Sequence, residues 1–308
     1  MNNNRSEIIE AVEKIQFEKI TDHPNILIAA SFWEEDRYKA AKVCYRFMRM
    51  IDDLIDDRKA NGEKISDSEK QLLAEQVRKW IGCLENKPSD DPFLIELNET
   101  ISTYKIPLQL FHNFAISMQY DIDHNGFSTF SQFLSYANGA SVAPASVFVH
   151  LCCLSKENGE YELPPFDVME AASPCAIFSY IVHIIRDFQK DQKNHLNYFA
   201  LDILQKYGLI PSDLHEIAHG KPVSDAFRNV MQDYYTIAQH YRAKTLLELN
   251  RLSTHIEGRY LFSLQIIFNL YQQVFDRIDI RNGSFTREEL NPTPFEIKRS
   301  VMELVEKY

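Results

Sequence analysis

Residues 31–57 read SFWEEDRYKAAKVCYRFMRMIDDLIDD, and the spacing inside this stretch decides the fold. Each residue of an α-helix turns the chain by about 100°, so Tyr45, Arg49, Asp52 and Asp56, at i, i+4, i+7 and i+11, share one narrow stripe. Val43, Phe47, Met50, Ile51 and Leu54 fill the opposite stripe. An apolar stripe of that width turns towards a core, so the spacing predicts a helix over 36–58 with its aspartates on the far face. Taken alone, the pattern equally describes a solvated, salt-bridged helix face.

A second stretch repeats the construction. Tyr180, His183, Asp187 and Asp191 share one stripe, Phe178, Ile181, Ile185 and Phe188 share the other, and Arg186 lies on a flank. Carboxylates at i and i+4 on two facing helices offer hard oxygen ligands without closing a cage. That suits Mg²⁺, which keeps several waters and completes its octahedron with phosphate oxygens. Arg49 and Arg186 carry the planar forks that would grip the same anion. Such a site stabilises a departing diphosphate where its charge develops.

Outward from these two stretches, apolar residues recur at three- and four-residue intervals over 66–84, 107–124, 166–191, 223–252 and 258–279, which predicts helices. Ser66 with Glu69, and Thr293 with Glu296 behind Pro294, have the spacing of a helix start. Only 9 Gly and 12 Pro punctuate 308 residues, which favours long elements. Strand-like alternation and internal repeats are missing from the sequence. The expectation is one all-α domain over 1–308, a bundle of long helices around a central apolar cavity, with residues 1–20 loosely attached and polar loops near Asn61, Pro88, Asn158 and Asn282.

Composition excludes several classes. The 33 Lys+Arg against 44 Asp+Glu give a formal charge of -11, which repels a nucleic-acid backbone. Five cysteines (Cys44, Cys83, Cys152, Cys153, Cys175) form no C-x-x-C pair, which argues against a disulfide framework or a zinc ribbon and fits a cytoplasmic setting. The N-terminus lacks an apolar signal core, and the apolar runs are broken short of a transmembrane span. Twenty Phe and fifteen Tyr supply the aromatic lining that a carbocation would need. The small-residue run Gly139-Ala140-Ser141-Val142-Ala143 would let a long chain lie against a helix backbone.

The first stretch closely resembles the first aspartate-rich region of the squalene/phytoene synthase family, Y-x-x-x-R-x-x-D-D-x-x-D, on Tyr45, Arg49, Asp52, Asp53 and Asp56. Arg186, Asp187, Asp191 and Tyr198 resemble the family's second motif. The segment 133–148, FLSYANGASVAPASVF, is similar to Y-x-x-A-G-S-V-G, which places Tyr136, Ser141 and Val142 beside the prenyl chain. Tyr271, in NLYQQVFDRID, resembles the tyrosine of the last long helix. The resemblance covers residues 23 to 300 and implies an isoprenoid-synthase-like fold. It also implies a Mg²⁺-dependent prenyltransferase that joins two farnesyl or geranylgeranyl diphosphates head to head, releasing diphosphate. Asp52, Asp53, Asp56, Asp187 and Asp191 would hold two or three Mg²⁺ ions with the diphosphate. Tyr45, Arg49, Arg186, Tyr198 and Tyr271 would serve catalysis, and Tyr136, Ser141, Val142, Tyr180 and His183 would contact substrate. NADPH reduces an intermediate in squalene-forming relatives, and nothing in the sequence marks a site for it. Release of a lipid product implies peripheral membrane contact.

Tyr180 and His183 stand where relatives have Gln and Asn, and Leu196 stands where they often have an arginine. These departures keep two alternatives open: a cyclase or head-to-tail prenyltransferase, and an isoprenoid-binding homologue without chemistry. His183 has three roles open to it, a neutral metal ligand, a cationic donor to diphosphate, or packing against Tyr180, and the several carboxylates nearby favour the cationic donor. His215-Glu216-Ile217-Ala218-His219 fits H-E-x-x-H, but Gly220 and Pro222 end that helix at once. A short helix with surface histidines is the better reading of it.

Overall fold

In the computed structural model, residues 9–10, 12–13, 15, 25–60, 62, 65–85 and 90–307 are described. The loops expected at Asn61 and Pro88, and most of the segment 1–20, lie outside them. Helices α1 (Asn25–Ala30), α2 (Glu35–Ala60), α3 (Asp67–Leu84), α4 (Pro92–Thr103), α5 (Leu108–Asp123) and α6 (Phe130–Ala137) come first. A π-helical turn, Asn138–Val142, joins α6 to α7 (Ala143–Cys153). A hairpin of β1 (Ser155–Glu157) and β2 (Glu160–Glu162) precedes α8 (Val168–Arg186), α9 (Phe188–Lys193), α10 (Leu201–Lys206) and α11 (Pro211–Ala218). The chain ends with α12 (Asp225–Leu252), α13 (Gly258–Phe275), α14 (Arg287–Leu290) and α15 (Pro294–Lys307).

The predicted starts have the expected chemistry. Ser66 accepts from the Glu69 amide while the Glu69 carboxylate accepts from the Ser66 amide, which satisfies two orphan donors at once. Thr293 and Glu296 do the same before α15. Three features differ from the expectations. The helix predicted over 166–191 starts after Asp167, whose side chain caps the Met169 and Glu170 amides, and is interrupted at Asp187 (φ -93°, ψ 7°). The amide of Asp191 still bonds the Asp187 carbonyl at 2.9 Å, so the two aspartates keep their helical spacing. A hairpin occurs where only a loop at Asn158 was expected. Asn158 and Gly159 both have positive φ, the turn that Asn-Gly favours, but strands of three residues, exposed except for the half-buried Tyr161, are too short to register as alternation.

On α2, Val43, Phe47 and Ile51 are buried and Met50 and Leu54 half-buried, so the acidic stripe turns away from this layer as predicted. The hub is α8. Its Phe178, Ile181 and Ile185 have no exposure, and it packs against α12, α7 and α13. By length and composition alone α8 could cross a membrane; 61% of that stretch is buried inside the fold.

The π-turn presses on α5. A Cβ on Gly139 would fall 2.1 Å from Ser117 Oγ and 2.2 Å from the Asn113 carbonyl oxygen, and Ser117 Oγ already donates to the Tyr136 carbonyl at 2.8 Å. We expect Gly139→Ala to cost about 1–3 kcal/mol through overpacking, seen as a lower urea midpoint. An unchanged midpoint would mean that the two helices separate freely.

Candidate active site

The acidic faces of α2 and of the α8–α9 junction meet at the mouth of a cavity of about 900 Å³. Tyr45, Arg49, Asp52, Asp53 and Asp56 line it from α2. Tyr180, His183, Arg186, Asp187 and Asp191 line it from the other side, with Tyr136, Ser141, Tyr198 and Tyr271. Beyond the mouth the wall becomes apolar: Ala140 from the small-residue run, Pro144 and Ala145 at the start of α7, Ala171 and Ala176 on α8, and Leu264 and Ile267 on α13. Val142 takes no part in this wall. It is 1% exposed and packs in the core, because the π-turn points it away from Ser141. The Ser141 hydroxyl donates to the Ala176 carbonyl at 3.0 Å, tying α8 to the turn.

The carboxylates divide into two kinds. Burial pushes Asp52 up to about 7, with nearby Asp56 adding to it and Arg49 opposing. Asp56 rises to about 6 through burial and the charge of Asp121, against Lys59 and Arg49. Burial and the neighbouring Asp187 push Asp191 up to about 8, against Lys190. Asp187 behaves oppositely. Burial would raise it, but the Arg186 fork, at 2.9 and 2.8 Å, and His183, at 2.9 Å, hold it well below the usual carboxylate range. Among the described residues, no three His, Cys, Asp or Glu side chains converge to hold a metal by themselves.

The arginines are engaged with acids. Arg49 bonds Asp52 at 2.8 Å and Asp53 at 2.5 Å, and Arg186 chelates Asp187. His183 departs from the cationic role expected of it. Burial and the Arg186 charge lower its pKa, outweighing the Asp187 hydrogen bond that favours the charged form. A neutral ring whose Nε2–H donates to Asp187 fits the 2.9 Å contact.

Below the carboxylates lies an aromatic layer. The Tyr180 ring is 6.3 Å from Tyr136 and 6.1 Å from Tyr198. Burial, reinforced by neighbouring tyrosines and aspartates, raises the hydroxyls of all three well above the ordinary value. Tyr45 is raised by burial too, against Arg49. Tyr136 Oη donates to Asp121 at 2.5 Å, and Lys59 pairs with Asp121 at 3.3 Å, both side chains nearly buried.

Asp121, Lys59 and Arg287 were not foreseen. Asp121 and Lys59 sit near helix ends, where charged residues are usually solvated, and only the packing of α2 on α5 brings them together. Arg287 lines the cavity from α14, and its Nε is buried without a hydrogen-bond partner. Four residues of polar helix carried no signal of that placement. Leu196, 9% exposed, lines the mouth as an apolar group. The H-E-x-x-H histidines lie elsewhere. His215 is half-buried against α9, 3.2 Å from the Gln192 carbonyl, so it is less superficial than expected, while His219 is exposed and bonds the His215 carbonyl.

This architecture has counterparts among known proteins. A dehydrosqualene synthase solved with a ligand superposes with a TM-score of 0.68 at 14% identity, covering 100% of this chain and 99% of that one. The squalene synthase HpnC of Alicyclobacillus acidocaldarius gives 0.55 at 15% identity, over 86% and 99%. The fold is therefore the all-α isoprenoid-synthase bundle. In sequence, the phytoene synthase 2 of Solanum lycopersicum chloroplasts is 23% identical over 256 residues, 82% of this chain and 76% of that protein. The 15-cis-phytoene synthase of a Synechocystis strain is 22% identical over 263 residues, 83% and 73%. The squalene/phytoene synthase family profile matches residues 23–296, and the chain belongs to that family. Members condense prenyl diphosphates head to head, which makes this chain a prenyltransferase.

Proposed function

We propose that the mouth holds the diphosphates of two prenyl substrates while their hydrocarbon chains lie in the apolar wall beyond. The observation that carries this reading is the set of three carboxylates, Asp52, Asp56 and Asp191, each raised by burial and by a neighbouring carboxylate, at the entrance of an apolar cavity. Such a set has negative charge in excess and hard oxygen donors, which fits Mg²⁺ shared with phosphate oxygens. Asp52, Asp53, Asp56, Asp187 and Asp191 would hold two or three ions in this way. Bound there, Mg²⁺ supplies Lewis-acid stabilisation of the departing diphosphate.

The chain's own groups do the rest. Arg49 and Arg186 need only exchange a carboxylate oxygen for a phosphate oxygen to grip the leaving group. Arg287 brings a donor with no internal partner. Tyr136, Tyr180 and Tyr198 present aromatic faces that tolerate the positive charge left on the prenyl chain, and their packing keeps water from it.

The test is incubation with farnesyl or geranylgeranyl diphosphate and Mg²⁺, with and without NADPH. The expected result is diphosphate release with a C30 or C40 hydrocarbon built from two identical halves. A product with one prenyl skeleton would replace this reading by cyclisation, and no release in any arm would overturn it.

Because His183 is held neutral, His183→Asn should keep turnover within about tenfold and leave the pH dependence of KM unaltered. A KM that rises with pH in the unaltered chain and stays flat in His183→Asn would restore the cationic role.

A further inference from the structure

The cavity has a second end. Ala171 and Asp187, both lining it, are sixteen residues apart along α8, so it runs about 24 Å from the acidic mouth at a rise of 1.5 Å per residue. Helix α12 lies antiparallel alongside. Phe227 near its start meets Phe188 at the mouth, at 4.8 Å, and Arg251 near its end lies 4.9 Å over the Phe166 ring, just before α8 begins. The far end is therefore walled by the last turns of α12, where Thr245, Glu248, Leu249 and Leu252 line the cavity.

Glu248 is the anomaly there. A carboxylate beside an apolar hydrocarbon site is costly unless it is paired, and nothing in diphosphate chemistry needs one so far from the mouth. Its partner is outside: Arg251 Nε donates to both Glu248 oxygens at 3.1 and 3.0 Å. The Glu248 side chain is 19% exposed and that of Arg251 44%. The pair thus reaches from cavity wall to solvent, with Phe166 beneath the guanidinium. A half-exposed ion pair one helical turn long is a weak contact, easily broken and remade. Just outside, Leu247 lies one turn before Arg251 and Leu163 three residues before Phe166, and both are well exposed.

We propose that Glu248, Arg251 and Phe166 form a latch over a second opening, through which the hydrocarbon product leaves. This rests on the reading that the product is a long hydrocarbon. Such a molecule leaving by the mouth would have to pass six carboxylates, Asp52, Asp53, Asp56, Asp57, Asp187 and Asp191. At the far end it passes leucines and one ion pair. Closed, the latch keeps water from the reacting chains; open, it frees the end of the cavity without disturbing the mouth.

Cys153 is a built-in reporter. It is buried at the end of α7, and the charges of both Arg251 and Glu248 bear on its thiol. The experiment compares the unaltered chain with Arg251→Gln and Arg251→Lys. It measures N-ethylmaleimide labelling of each cysteine by mass spectrometry, diphosphate released in the first turnover, and hydrocarbon transferred to phosphatidylcholine vesicles in later turnovers. Arg251→Gln should raise Cys153 labelling relative to Cys44 and hasten hydrocarbon transfer, each by about two- to fivefold, the population change expected from losing a half-exposed ion pair. First-turnover release should be the same in all three chains, and Arg251→Lys should resemble the unaltered one. Unchanged Cys153 labelling in Arg251→Gln overturns the latch, as does faster labelling without faster transfer. Failure of the unaltered chain to release diphosphate would strike the reaction itself, and the labelling arm would still judge the latch.

Discussion

Asp191→Asn and Asp52→Asn are each expected to slow diphosphate release by about a thousandfold, the equivalent of about 4 kcal/mol of transition-state stabilisation. Asparagine keeps the shape and removes the charge that would share a divalent ion with diphosphate. The same changes should make the ligand-free protein more stable, since Asp191 and Asp52 are raised by burial and by repulsion from Asp187 and Asp56, and each loses that penalty on becoming neutral. Asp187→Asn should also lose activity but with lower stability, because the Arg186 fork and His183 lose their acceptor. Kinetics and melting, measured on the same preparations without Mg²⁺, check both halves. An Asp191→Asn protein that melts below the unaltered chain would contradict the account of charge in excess.

The second large effect is acid inactivation. With Asp56, Asp52 and Asp191 pushed up to about 6, 7 and 8, all three hold protons by pH 5 and none can bind a hard cation. We expect kcat/KM to fall by about tenfold per pH unit below 7, and more steeply where two protonations overlap. The acid limb of kcat should lie lower, because bound cations favour the ionised carboxylates. Stability moves the other way. A carboxyl whose folded pKa is raised above its usual 3.8 gives up stability as pH climbs from that value to the folded one. The ligand-free protein should therefore lose about 1–3 kcal/mol from these aspartates between pH 5 and 8, after allowance for solvent screening at the open mouth. His150 and His183, whose pKa values are lowered by burial, oppose this by losing stability as pH falls through 6.5. The comparison is therefore made against Asp191→Asn, which keeps the histidines and deletes one carboxyl. Identical pH dependence of the two melting curves would remove Asp191 from the explanation.

Much of this site could be read from one sequence because it is written in helical spacing. Tyr45, Arg49, Asp52 and Asp56 report their common face by arithmetic, and so do Tyr180, His183, Asp187 and Asp191. What escaped is whatever depends on how helices are set against each other. Asp121 meets Lys59 and Tyr136 only through the packing of α5, and Arg287 reaches the cavity from a four-residue helix with no period to read. His183 illustrates a different limit. Counting nearby carboxylates predicts a cation, yet desolvation and Arg186 decide the matter, and neither is visible in one dimension. The interruption at Asp187 was hidden for a related reason, since the hydrogen bonds that carry the spacing pass through it.

The π-turn at 138–142 has a consequence for how this lineage can change by insertion and deletion. It holds one residue more than an α-helix over the same path, and the Ala143 amide reaches back five residues to Asn138. Removing one of the five would let an ordinary helix run from Phe130 to Cys153 over that same path, so the residues on either side would keep their facing. Pro144, Ala145 and Phe148 would stay in the cavity wall, and the change would fall on the turn itself. A single codon deletion here would thus be absorbed within the turn, whereas one inside α7 would rotate every later residue of that helix by about 100°.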